Sequence, residues 1–127
     1  MSIIHTIARS STLDNGAAIS SSEDVPSDFG MTLDFTVAPG VTNEAHAFVV
    51  DRTKLQSWYV LAGQAVVILA NSTSTPTNTW NMVAGVAFVW SIAGYFANPL
   101  AANLVTLYIT NSGTSAARIR IRVGVNT

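Results

Sequence analysis

The sequence predicts an all-β fold, an antiparallel β-sandwich or jelly roll of about eight strands, with a small β-barrel as the alternative. Three observations predict it. Val, Ile and Thr supply 37 of the 127 residues, and Ser, Thr and Asn supply 36, which is the composition of strands and polar turns. Short apolar runs alternate with Gly, Pro and Asn signals about every ten residues. Long stripes rich in Leu, Glu and Lys at helical spacing are absent. At 13.4 kDa the chain suits one domain, residues 1–127, large enough for a real core. Residues 1–30 read as an extended arm or loop region before it.

Taken in order, Ile3–Arg9 reads as a short strand, Asn15-Gly16 as a turn and Ala17–Ser20 as another short strand. Ser21–Gly30 (SSEDVPSDFG) reads as loop, because serines, acids and proline do not build a buried element. Met31–Val37 alternates cleanly, with Met31, Leu33, Phe35 and Val37 on one face. Pro39-Gly40 breaks it, and Glu44–Val50 is the next strand. Leu55–Leu61 and Gln64–Ala70 read as two strands around a tight turn at Ala62-Gly63. After the polar loop NSTSTPTN come Thr79–Val83 and Val86–Ser91. Val86–Trp90 is continuously apolar, as expected of a strand covered on both faces. Gly94–Asn103 is an irregular connection. Leu104–Thr110 and Ala116–Val125 then read as a hairpin across Asn111–Ser115, with Arg118, Arg120 and Arg122 on one face and Ile119, Ile121, Val123 and Val125 on the other.

Charge is sparse and uneven. Charged residues make up 10% of the chain, against about 25% in ordinary soluble domains. Residues 1–51 hold all seven acids and one base, Arg9; the rest hold Arg52, Lys54 and the three late arginines. The 63 residues between Lys54 and Arg118 carry no charge. Within them, Trp58–Ala70 and Met82–Ala97 are too short and too rich in β-branched residues and glycine for a membrane-spanning helix of about 17–25 residues. The start, MSIIHTIARSST, lacks the basic-then-apolar pattern of a signal peptide.

Catalytic signals are thin. There is no cysteine, no phosphate loop, no G-x-S-x-G elbow and no H-E-x-x-H. A triad assembled from distant residues has no local pointer, and His5 and His46 read as ordinary strand residues, with Glu44 as the third ligand a metal site would need. Glu23, Asp24 and Asp28 read as a solvated loop rather than a calcium site. Asn71-Ser72-Thr73 is a glycosylation sequon with nothing beside it that addresses the chain for secretion. The sequence therefore predicts no enzyme, cofactor or metal.

Two features point to contacts instead. Arg118, Arg120 and Arg122 form a ladder with guanidinium groups roughly 6.6 Å apart along a strand. It reads as a charged outer face guarding a sheet edge, as a contact for the acidic first 51 residues of a chain or for an acidic partner surface, or, least well, as a nucleic-acid clamp lacking lysines and stacking aromatics. Trp58 and Tyr59 are strand neighbours, so only one enters the core; outward aromatics such as Trp58 and Trp80 in an uncharged region suggest a partner interface.

From Lys54 onward, the run KLQSWYVL, NSTSTPTN, NMVAGVAFVW, ANPLAANL and VTLYITNSGTSAARIRIRVGV resembles small β-sandwich virion proteins of tailed bacteriophages. The resemblance implies a capsid decoration, or cement, protein. Such a protein is a homo-oligomer, with a trimer preferred, bound on the capsid surface to the major capsid protein or another virion protein, without cofactor, membrane or nucleic acid. The alternative is a tail or head-fibre module that binds a host-surface glycan. The interface expected on this reading comprises Arg118, Arg120, Arg122, Trp58 and Trp80.

Overall fold

A computed structural model describes residues 3–12 and 18–127. β1 (Ile3–Thr12) and β2 (Ala18–Ser27) pair antiparallel as a two-stranded ribbon. The turn expected at Asn15-Gly16 lies outside the described residues. Eight strands follow: β3 (Phe29–Val37), β4 (Val41–Val50), β5 (Leu55–Ala62), β6 (Val66–Ala70), β7 (Asn78–Met82), β8 (Phe88–Ser91), β9 (Leu104–Asn111) and β10 (Ala117–Val125). One 3-10 turn, Arg52–Lys54, leads into β5. The eight strands build two antiparallel sheets packed face to face, β3-β10-β5-β8 (sheet 1) and β4-β9-β6-β7 (sheet 2). The sheets stay open, so the sandwich is the fold and the barrel alternative falls away.

Alternation decides what fills the space between the sheets. On β10 Ala117, Ile119, Ile121 and Val123 are buried while the three arginines between them are exposed. Leu107 and Ile109 of β9 and Ile68 of β6 meet them from sheet 2, all buried. Each of the Ile, Leu and Val side chains contributes about 1.5–3 kcal/mol by leaving water. Aromatic groups close both open flanks. At the β3/β4 flank the Phe35 ring stacks on His46, centroids 3.6 Å apart, and His46 Nε2 lies 2.7 Å from Glu44 Oε2. At the β7/β8 flank Trp58, Trp80 and Phe88 form a cluster with centroids 5.5–6.5 Å apart.

The connectivity corrects the expected hairpins. β9 and β10 do not pair: β9 lies between β4 and β6, and β10 between β3 and β5. The link between them arches from one sheet to the other. Buried Asn111 holds this arch, donating from Nδ2 to the carbonyls of Val37 (3.1 Å) and Ser115 (2.9 Å), while its Oδ1 accepts from the Gly113 N–H (3.1 Å). Likewise Ala62-Gly63 carries the chain from sheet 1 to sheet 2 rather than folding a hairpin. Among the eight sandwich strands only β6–β7 joins sequence neighbours within a sheet, and the resulting order, with first strand β3 beside last strand β10, is that of a jelly roll.

Two further expectations change. Ser21–Ser27 is strand, not loop, because backbone pairing to β1 needs no apolar face. β8 is a four-residue edge strand rather than one covered on both faces, and Val86 before it is exposed.

Asn111→Ala removes three hydrogen bonds, among them the one that ties the arch to the Val37 carbonyl of β3. We expect a loss of about 2–4 kcal/mol of stability, read from denaturant midpoints at an unchanged m-value.

Candidate functional site

The two outward faces of the sandwich differ in chemistry. Sheet 1 carries the arginine ladder. Because β10 is an inner strand, the ladder does not guard a sheet edge, which corrects that reading. Register places Arg120 opposite Asp34 of β3 and Leu61 of β5, and Arg122 opposite Thr32 and Tyr59. Arg118 reaches diagonally to Asp34 and grips it with two bonds, Nε–Oδ1 at 3.1 Å and Nη2–Oδ2 at 2.8 Å. One rung of the ladder is thus met by an acid of this chain's own first third. Among the described residues the side chains of Arg120 and Arg122 make no hydrogen bond or ion pair.

Beside those two arginines the ribbon approaches sheet 1 and leaves a cleft of about 470 Å³, lined by Ile4 and Thr6 of β1, Ser57 and Tyr59 of β5, and Arg120 and Arg122. Gly124 lets the ribbon come this close: a Cβ there would collide with Ser27 Oγ and sit 2.6 Å from Ser57 Oγ.

The outer face of sheet 2 is neutral. Ala45, Ala47 and Val49 of β4, Val105 and Tyr108 of β9, Val67 and Leu69 of β6, and Thr79 and Asn81 of β7 are exposed or half-buried there, and none carries charge. The charge-free stretch of the sequence supplies three of these four strands. At the end of β8, the loop Ile92–Phe96 presents Tyr95, 96% exposed, and Phe96, 76% exposed. The backbone beneath is held by Trp90 Nε1 donating to the Phe96 carbonyl (2.8 Å) and by Gly94 N–H donating to the Ser91 carbonyl (3.0 Å).

The predicted interface residues therefore separate. Arg118, Arg120 and Arg122 share one outer face, but Trp58 is only 1% exposed and Trp80 is half-buried against it, both turned into the sandwich. Neither offers a free ring to a partner or a sugar in the folded chain. Among the described residues Phe29, Tyr59, Tyr95, Phe96 and Tyr108 are the more outward aromatics, and strand alternation alone could not say which of Trp58 and Tyr59 turns in. Trp58 Nε1 is buried without an acceptor among the described residues.

No group of three His, Asp or Glu side chains able to hold a metal occurs among the described residues. The side chains of His5, Glu23 and Asp24 lie outside them. No described helix is long and apolar enough to cross a membrane. Set against family models, curated proteins and solved structures, the chain matches none.

Three surface aspartates accept hydrogen bonds from neighbouring segments, each held below the ordinary value of 3.8. Asp28 is lowered by the Thr127 backbone N–H and then its hydroxyl, Asp34 by hydrogen bonds from Arg118, and Asp51 by the Thr53 hydroxyl and then its N–H. A carboxylate with a depressed folded pKa adds stability above the unfolded value and loses it as pH falls through the folded one. Thermal midpoints are therefore expected to be level above about pH 5 and to fall below about pH 4. Asp34→Asn should flatten part of that acid limb, and added salt should shrink the difference.

Trp58→Ala should cost about 3–5 kcal/mol as a large buried side chain is lost. Trp58→Phe should cost less than about 2 kcal/mol, because it also removes the unpaired donor. Chemical denaturation of the two variants checks the order.

Proposed function

We propose that this protein is a structural component of a bacteriophage virion, a jelly-roll decoration protein that forms a homo-oligomer and binds the capsid surface between major capsid subunits. The observation that carries this reading is the neutral outer face of sheet 2. Like faces bearing charge repel when copies approach; a face without charge has no such cost and no charged groups to desolvate. Contact there releases water from Val49, Val105, Leu69 and Tyr108 at about 25 cal/mol per Å² of apolar area, offset by the entropy of association. Repetition by symmetry turns modest contacts into a stable ring. The Ile92–Phe96 loop adds two exposed aromatics on a backbone already fixed by hydrogen bonds, the kind of anchor that binds with little ordering cost. Jelly rolls serve capsids, lectins and cupins alike, so the fold by itself carries no function. The virion assignment rests on the resemblance of residues 54–127, and the mode of attachment on the neutral face.

Light scattering tests the proposal. The full chain is expected at a multiple of 13.4 kDa, three times that mass for a trimer, and is expected to co-sediment with shells assembled from a tailed-phage major capsid protein. Ala47→Lys and Asn81→Lys, both at exposed positions of the neutral face, should return the mass to that of one chain with an unchanged far-UV spectrum. A wild-type chain that stays monomeric and leaves the shells unbound overturns the reading.

A further inference from the structure

We infer that the cleft between the β1–β2 ribbon and sheet 1 is a binding site for a small organic anion, a carboxylate or phosphate attached to an apolar body. This goes beyond the assembly role and rests on a different face. Three observations combine. The volume of about 470 Å³ falls within the roughly 300–1,000 Å³ of small-molecule sites. Arg120 and Arg122 both border it from the same side of one strand, and neither guanidinium makes an ion pair or hydrogen bond among the described residues. The remaining wall is mixed, with Ile4 from the ribbon and Tyr59 directly across the strand from Arg122.

The arginines select the anion. A guanidinium presents parallel N–H donors that match the two oxygens of a carboxylate or phosphate. Two of them on one strand can hold one oxyanion between them. Asp34, which register places opposite Arg120, does not fill that role because both its oxygens are taken by Arg118. Register also leaves Arg122 beside Thr32 and Tyr59, so among the described residues no acid stands opposite Arg122, which borders the cleft. Ile4 and Tyr59 would cover a carbon skeleton that a bare inorganic ion lacks. Nucleic acid fits less well, because the ladder is only three residues long and one rung is already neutralised.

Calorimetric titration of the full chain with benzoate, phenyl phosphate, benzamide and inorganic phosphate tests this. Benzoate or phenyl phosphate should bind and benzamide, their neutral relative, should not. Arg120→Gln combined with Arg122→Gln should weaken binding at least tenfold, whereas Arg118→Gln, outside the cleft, should change it less than threefold. Amide shifts in a heteronuclear NMR titration should centre on Tyr59 and Arg122, with the rest of the spectrum unmoved in the double variant, which separates loss of the site from loss of the fold. Preference for phenyl phosphate over benzoate assigns phosphate as the anion, and the reverse assigns carboxylate. Inorganic phosphate binding as tightly as the aromatic anions overturns the role of the apolar wall. Absence of binding by all four, or binding unaffected by the double substitution, overturns the site. Because exposed positions on the opposite sheet set the oligomer, failure here leaves the assembly reading standing, and failure there leaves this one standing.

Discussion

Every strand of this sandwich has one apolar side, and that side can leave water only against the opposite sheet. The Ile119–Ile121–Val123 row of β10 facing Leu107, Ile109 and Ile68 is the centre of that constraint. Nearly all connections between the eight strands cross from one sheet to the other, so strands adjacent in sequence face each other across the core more often than they pair. The first sandwich strand, β3, finds its partner in the last, β10. A core of this kind closes only when distant segments meet, and loop-closure entropy must be met before the buried contacts return anything. The Asn111 arch and the two aromatic seals make sense in that light: they fix the places where the chain changes sheets and where the two layers would otherwise part.

The same constraint sorts the exterior. Once inward positions are set by burial, the alternate positions are outward whatever they carry. In the long uncharged stretch those alternate positions became the neutral face of sheet 2. In β3 and β10 they became Asp34 and the arginines on sheet 1. The polarity of the two surfaces thus follows from where charge was spent along the chain, combined with a period of two.

That period was also what the sequence made legible. Met31–Val37 and Ala116–Val125 showed their alternation openly, and each is a strand at nearly those bounds. Connectivity was not legible, because a polar five-residue link with a glycine looks the same whether it folds a hairpin or arches between sheets. The difference lies in Asn111, whose burial depends on Val37, 74 residues away. The start of β2 was legible as a strand at Ala17–Ser20, but its continuation through Ser27 was missed for another reason: serines and acids gave no apolar signal, and backbone pairing to β1 needs none. Of the site, the outward ladder was visible at once, but not that Arg118 would be claimed by Asp34, 84 residues distant. Trp58 was misjudged as an outward aromatic because alternation says that one of two neighbours turns inward without saying which. Burial of the larger apolar surface decides it, at the cost of one indole N–H left unpaired.

The two outer faces are chemically suited to different partners. Arginine faces repel one another, so sheet 1 does not favour contact with its own copy, whereas sheet 2 sets no such barrier. If copies join through the neutral side, the charged side is left toward solvent, and with it the cleft under the ribbon. Oligomerisation would then multiply the number of open clefts on one particle without covering any. A ligand carried in several copies on a larger surface would meet several sites at once, and weak binding at each would sum through effective concentration. Assembly through one face is in this way the condition under which a modest anion site on the other becomes useful.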